Sequence, residues 1–335
     1  MSATSTLSPT TQKVLKRKKS WGNGEIKRHI AFLTMMIPGL AFLLCFSYLP
    51  MPGILLAFKE YHLEKLPPDF FIKNRFIYSL FVANEWVGIE NFKFIFLSRD
   101  IWVAVRNTVG YNLVFMVVGL FSAVGLALMI NELAQPKMAK LYHTILFLPH
   151  FLSWVVVSYL VYGLVAERGI ITQMVQAAGG EKIAFYMEPK YWPYIFLFFN
   201  IWKHTGNSSI IYLATLTGFD QELYEAAAID GASKWKQVTK ITIPQLIPII
   251  VLLQILAIGR IFSDEFDMFY ALPNGAGALR DVYYTVNVYV YQSMRSGMNI
   301  SYPTAAGLMQ SVVGLIMIVT TNLIVRQVAP EMSLF

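Results

Sequence analysis

Four polar residues, Asn200, Lys203, His204 and Asn207, stand at spacings of three, one and three inside a stretch that is mostly apolar and aromatic. On a helix turning about 100° per residue they fall within one sector roughly 100° wide. Polar side chains in an apolar, membrane-like segment are costly, so a function or a set of partners must keep them there. With aromatics nearby, such a stripe suits a solute that offers hydroxyls at its edges and C–H faces for stacking, as a sugar does. Asn and His also hydrogen-bond across membrane helices, so the same residues can be interhelical glue. A second group follows at Arg260, Asp264, Glu265 and Asp267. On a helix Arg260, Asp264 and Asp267 share a face, Arg260 and Asp264 can pair, and Glu265 points elsewhere. These types fit an internal ion pair with an acid at the outer mouth, or a cation (Arg260 or Lys203) meeting an acidic sugar.

The elements that must carry these residues are membrane spans. Of 335 residues 56% are hydrophobic and 14% charged, well below the quarter usual in soluble domains. Mean hydropathy is +0.51. Six stretches, near 30–50, 108–130, 144–164, 192–214, 247–269 and 304–326, are mostly apolar and have the length a spanning helix requires. Backbone in lipid must satisfy its own hydrogen bonds, so the spans are expected to be helices. Seven Lys or Arg lie in the first 29 residues. The run after them is too long for a signal-peptide core and lacks a small-residue cleavage site, which makes it an uncleaved signal-anchor. Loop Lys and Arg are balanced on this topology, 12 inside and 12 outside, so the N-terminal cluster sets the orientation. The expected fold class is an all-α polytopic membrane protein with about six transmembrane helices and both termini cytoplasmic. Loops 131–143 and 215–246 then lie inside, and loops 51–107, 165–191 and 270–303 outside.

The expected organisation is a flexible basic cytoplasmic tail over 1–29, a first helix with a long outside loop over 30–107, a five-helix core over 108–326 and a cytoplasmic tail over 327–335. Within the outside loop, FFIKNRFIYSLF and VGIENFKFIF look like short amphipathic elements at the interface. No internal repeat is visible. The formal charge of +7 marks cytoplasmic flanks of spans, not nucleic-acid binding. The single cysteine, Cys45, excludes an internal disulfide and a cysteine metal cluster. His150 and His204 have no ligand partners at metal spacing, so no metal site is expected. No HExxH or GxSxG motif and no GxxxxGK[ST] loop occurs, which leaves no catalytic residue to assign and no ATP site of the usual kind.

Between spans four and five lies EAAAIDGASKWKQVTKITIPQLIP, residues 225–248. Residues 221–229 are good helix formers. Gly231 can take the left-handed conformation that ends a helix, and Ser233 can cap the next piece, 233–241. Pro244 and Pro248 are expected to mark where that piece stops and span five starts. The alanines leave a flat face for another surface, with Glu225 and Asp230 as acceptors at its edge. By itself this reads equally as a helical connecting loop. The pattern Glu225, Ala226, Ala227, then Asp230, Gly231, Ala232, then Ile241, Pro244 and Pro248 resembles the signature loop of ABC-importer permeases. IWKHTGNSSIIYLATL before it and FDMFYALPNGAGALRDVYYTVNVYVYQ and AAGLMQSVVGL after it are similar to the carbohydrate branch, of the type for oligo- and polysaccharide uptake. The resemblance runs from about residue 30 to the end. It departs at Gln292, where that branch often has Arg.

The resemblance implies a type I importer permease fold and a coupling loop over 218–246 that docks on a separate ATPase pair, which would hold the ATP and Mg²⁺; no cofactor is implied for this chain. It further implies a second permease chain as partner, a pathway at their interface, and an extracytoplasmic sugar-binding protein. A self-sufficient secondary transporter is the alternative, with Asp264 as its coupling carboxylate. That reading lacks a repeat and leaves the 225–248 loop unexplained. A membrane-embedded enzyme is a third class, and no motif supports it.

Overall fold

A computed structural model describes residues 23–61, 85–97, 99–133, 135–295 and 300–334. The chain divides into two compact units, 1–53 and 54–335. The first holds helix α1 (Asn23–Leu43), followed by a π-helical turn, Leu44–Tyr48. Its apolar side chains, among them Met35, Phe42 and Phe46, are exposed, as lipid-facing groups of a spanning helix would be. Asn23 to His29, expected as tail, are already helical; residues 1–22 lie outside the described residues, as does FFIKNRFIYSLF at 70–81.

The second unit opens with a small antiparallel ribbon, β1 (Lys59–Glu60) and β2 (Glu85–Trp86). Asn91 secures it by donating to the carbonyls of Ala57 and Lys59, at 2.8 and 2.9 Å. Helix α2 (Glu90–Leu97) accounts for VGIENFKFIF. The bundle follows: α3 (Arg99–Asn131), α4 (Pro136–Phe147), α5 (Trp154–Val165), α6 (Ile170–Ala177), α7 (Trp192–Leu216), α8 (Gln221–Ile229), α9 (Lys234–Gln237), α10 (Ile243–Gly259), α11 (Phe266–Ala271), α12 (Arg280–Tyr283), α13 (Val286–Arg295) and α14 (Ser301–Val328). Among the described residues five helical stretches are long and apolar enough to cross a membrane: 28–58, 99–131, 154–177, 234–259 and 301–328. Helix α7 is 25 residues long and packs along α3. Its polar stripe lowers its mean hydropathy, and with it the spans number six, as the sequence predicts.

Two spans end elsewhere than expected. The apolar run 144–164 is not one helix. Helix α4 stops at Phe147, Pro149 sits in a 3-10 turn, and Ser153 caps α5 by accepting from the Val156 amide. A proline inside a run removes an amide donor and crowds the preceding turn, so the chain restarts at the next cap. The run 247–269 is also two pieces, α10 and α11, separated by the non-helical segment 260–265. Conversely, Pro244 and Pro248 do not stop the second piece of the 225–248 loop. Helix α9 passes into a π-helical turn, Val238–Thr242, and on into α10. The wider turn absorbs the amide that Pro244 lacks.

An aromatic and aliphatic core binds α3, α5, α7 and α11. Trp192, Phe196, Met268, Phe269 and Leu272 are fully buried, and the rings of Tyr111, Phe196 and Phe269 lie 4.8 to 5.6 Å apart. A smaller core of Ala123, Ala127, Tyr212, Leu216 and Leu246 joins α3, α7 and α10. Phe121, Met129 and Leu315 remain exposed, a surface that lipid covers.

Candidate functional site

The site is built on the interruption between α10 and α11. Backbone carbonyls that leave a helix at membrane depth need other partners. Here side chains from three other helices supply them. Asn112 on α3 donates to the carbonyls of Ile261 (2.8 Å) and Ser263 (3.2 Å). Gln310 on α14 donates to that of Phe262, and Asn287 on α13 to that of Asp264 at 3.2 Å. The Asp264 carboxylate accepts from Thr108 Oγ1 and from the Asn287 amide, both at 3.2 Å. Asp264 therefore ties α3 and α13 to the break. It forms no ion pair with Arg260: the chain leaves helical geometry at Arg260, so the shared face of Arg260, Asp264 and Asp267 does not exist. No ion pair among the described residues joins them.

Glu265, set aside by the helical reading, is the hub. Its carboxylate accepts from Trp154 Nε1 at 2.7 Å and from Asn200 Nδ2 at 3.2 Å, and lies 3.0 Å from His204 Nε2 through each oxygen. One acid thus joins the first turn of α5, the middle of α7 and the break. Lys203 turns the other way. It is 5% exposed, donates to the carbonyls of His150 and Leu152, and stands over the Trp154 ring, 5.4 Å from its centroid. Its ammonium satisfies the open end of the 148–152 turn, which is a structural role. Gly206 lets α7 pack closely on the end of α4 just before that turn, since a Cβ there would lie 2.1 Å from the Leu146 carbonyl oxygen.

The other three residues of the stripe share a cleft. Asn200, His204 and Asn207 line a space of about 340 Å³, with Met116 of α3 and Gln254 of α10 on its other walls. A neighbouring cleft of about 420 Å³ contains Arg260 and shares Phe115, Met116, Leu253 and Ala257 with the first. Amide, imidazole and guanidinium groups thus follow one another along a single furrow, with aromatic and thioether surface between them. Among the described residues no three His, Cys, Asp or Glu are placed to hold a metal ion.

At the opposite end of α7 lies the 225–248 loop. Asp220 caps α8 by accepting from the Glu222 amide at 3.0 Å. Gly231 has φ +75°. The Ala232 amide bonds back to the Ala227 carbonyl (2.8 Å) and the Gly231 amide to that of Ala228 (3.0 Å), the paired closure of a Schellman turn. Ser233 caps α9 through the Lys236 amide. Tyr224 OH contacts Thr242 Oγ1 at 3.1 Å, and Lys234 pairs with Glu132 at the end of α3 at 3.1 Å. Glu225, Ala226, Ala228 and Asp230 are exposed, Ala227 and Ala232 partly so, and Ile229 is 87% and Trp235 75% exposed. On the outer side Arg280 bonds Asp100 at 2.8 Å and lies over the Tyr284 ring; the bond to Asp100 holds its guanidinium protonated beyond the ordinary arginine range.

A signal for Glu265 was present in the sequence. Ser263, Asp264 and Glu265 are three consecutive polar residues. At about 100° apiece they cannot share one helical face, so a continuous lipid-embedded helix would turn at least one of them toward hydrocarbon.

No family model matches the chain. It is 33% identical over 307 residues to Protein LplB of Bacillus subtilis (strain 168), spanning 91% of this chain and 92% of that protein. It is likewise 33% identical over 298 residues to the polygalacturonan/rhamnogalacturonan transport system permease protein YteP of the same organism, spanning 89% and 88%. The fold superposes with TM-score 0.77 on a chain from the crystal structure of a bacterial ABC transporter involved in the import of the acidic polysaccharide alginate. That match is 29% identical and covers 91% of this chain and 98% of the other. A second crystal structure, of the bacterial alginate ABC transporter in complex with an alginate pentasaccharide-bound periplasmic protein, matches with TM-score 0.76 and 28% identity, over 93% and 98%.

Proposed function

The chain belongs to the permease subunits of ABC importers, and from that premise we propose that it carries oligosaccharides or polysaccharide fragments through the furrow of Asn200, His204, Asn207 and Arg260. It is a multi-pass transport subunit of the bacterial cytoplasmic membrane. The similarity to YteP and to the alginate importer supports a saccharide cargo. The furrow supports it chemically, because hydrogen-bonding groups alternate with ring and thioether surface, as a sugar's edges and faces require.

The observation that carries the coupling role is the pre-formed, solvent-exposed turn at 225–235. Its backbone is closed by its own bonds, so its exposed Ile229, Trp235 and alanine face are free for a partner. We assign that partner as an ATPase subunit, one of a pair that would hold ATP and Mg²⁺ and supply the free energy of hydrolysis. Helix α9 runs without a stop into α10, and α10 ends at the break where Arg260 meets the furrow. Displacement of the turn would thus reach the furrow through one continuous element, and ATP binding acts only insofar as it prefers one of two states. A second permease chain would complete the pathway, and an extracytoplasmic binding protein would load it. The coupling range 218–246 belongs to the same proposal.

Affinity purification of this chain from its native membrane, wild type beside Glu225→Lys, tests the reading. Co-purification of an ATPase and a second permease with wild type, and loss of the ATPase from the variant, is the expected result. Recovery of the chain alone, or only with itself, overturns it and favours a self-sufficient transporter.

A further inference from the structure

Helix α5 has two faces. Trp154, Val157, Val161 and Val165 are buried in the bundle. Ser158, Tyr159 and Tyr162 lie on the other side, at the spacing that places residues on one helical stripe. Tyr159 is 74% exposed and Tyr162 51%. A tyrosine hydroxyl seeks a hydrogen-bond partner or water, and with Val155 beside them these side chains combine polar tips with apolar surface. This stripe forms one wall of a cleft of about 680 Å³, whose other wall carries Tyr270, Asn274 and Arg295. A second cleft of about 660 Å³ adjoins it, sharing Tyr162 and Asn274. Each lies in the size range of small-molecule sites, and together they make a trough on the side that the topology places outside.

The trough carries two arginines, Arg168 in the second cleft, beside a Glu167 that pairs with Lys182 at 2.8 Å, and Arg295 in the first, where no acid stands. Arg280 is spent on Asp100, and Arg106 on Asn107 Oδ1 and the Asp281 carbonyl. Arg295 is exposed and donates to Tyr270 OH at 3.1 Å. Among the described residues no carboxylate is paired with it, and none lines its cleft. The Tyr270 bond orients the guanidinium, and the ring beneath is held by stacking on Phe266, 5.2 Å away, and by Tyr291 at 4.9 Å. A fixed fork of donors with no acid opposite it matches a carboxylate, which accepts two such bonds side by side.

We propose that this outer trough is a saccharide subsite distinct from the Asn200–Arg260 furrow, in which Arg295 binds the carboxylate of a uronate unit and Tyr159 and Tyr162 stack on the neighbouring sugar faces. The proposal rests on the saccharide reading above and adds a preference for acidic chains, together with the residue that sets it. Gln292, on the same cleft, offers neutral hydrogen bonds beside the cation.

Uptake by the full transporter in cells tests it, with trigalacturonate and trimannuronate as probes beside their carboxyl-reduced counterparts, which keep length and linkage and lose only the acids. At sub-saturating concentration Arg295→Gln should lower uptake of the oligouronates about ten-fold or more, the usual weight of a charged hydrogen bond. Uptake of any reduced counterpart that wild type carries should stay within about two-fold. Arg295→Lys should restore part of the loss, and Tyr159→Ala should lower both classes alike. Equal losses for acidic and reduced sugars with Arg295→Gln, or no loss for either, overturn the carboxylate assignment, with membrane levels checked by immunoblot. Wild type that carries only the reduced sugars also overturns it, while the saccharide reading survives. Wild type that carries none of the four overturns both.

Discussion

The helical path is interrupted at 230–233 and again at 260–265, and the two interruptions are stabilised in opposite ways. The first is closed locally: Gly231 supplies the left-handed residue, Ala227 and Ala228 accept the returning amides, and Ser233 starts the next helix. The second keeps local amide bonds from Arg260, Ile261 and Ser263, but the rest of its closure comes from distant side chains. Its carbonyls are satisfied by Asn112, Asn287 and Gln310, and its two acids by Thr108, Asn287, Trp154, Asn200 and His204. A locally closed turn can present its face to a partner and move as a unit. A break closed by five other elements registers any shift among them. The first arrangement suits docking and the second suits gating a furrow.

Substitutions separate the two. The largest effect is expected from Gly231→Pro. Proline fixes φ near −65° and cannot adopt the +75° of this position, so uptake should fall to background while membrane level and thermal stability in detergent stay at wild-type values. Normal uptake by this variant removes the coupling role. Next comes Glu265→Leu, which strands the donors of Trp154, Asn200 and His204. Each buried unpaired group costs about 1–3 kcal/mol, so the melting temperature should fall by about 5 °C or more, with Glu265→Gln intermediate because one acceptor remains. An unchanged melting curve shows that the hub does not hold the break. A smaller contrast is Gln310→Leu beside Ser233→Ala. The first orphans the Phe262 carbonyl and should cost about 1–3 kcal/mol of global stability. The second removes a cap worth about 1 kcal/mol, and its loss should appear as weaker ATPase retention in pull-downs without a change in melting. Smallest is Lys234→Ala: its pair with Glu132 is exposed on both sides and is worth at most about 1 kcal/mol, so uptake and melting should be unchanged at high salt and at low.

The same contrast explains what the sequence disclosed. Glycine, serine and a run of helix-forming residues within fifteen positions define the first interruption, and each acts on its own neighbours. Six spans were likewise legible, because length and hydropathy are properties of the run itself. The 260–265 break left only the trace of three consecutive polar residues at 263–265, since Arg260, Asp264 and Asp267 satisfy a helical spacing as well as they satisfy any other. What decides against the helix sits at positions 108, 112, 287 and 310, far away in sequence. Of the α7 stripe, Asn200, His204 and Asn207 line one cleft. Lys203, at the same spacing, leaves the set because the 148–152 turn presents carbonyls to it, and that turn was hidden inside an apolar run. Pro149 followed by Ser153 was its trace.

The passage from α9 through the π turn into α10 has a mechanical meaning. Lys234–Gly259 is 26 residues of unbroken helix, about 39 Å at 1.5 Å per residue. It is a connecting rod with a glycine joint at its foot and a side-chain-sprung joint at its head. A tilt of about 10° at the foot sweeps the head through roughly 7 Å, more than the rise of one helical turn. In the proposed coupling, motion that is modest at the 225–235 turn would arrive magnified at Arg260, without any residue between having to change its conformation.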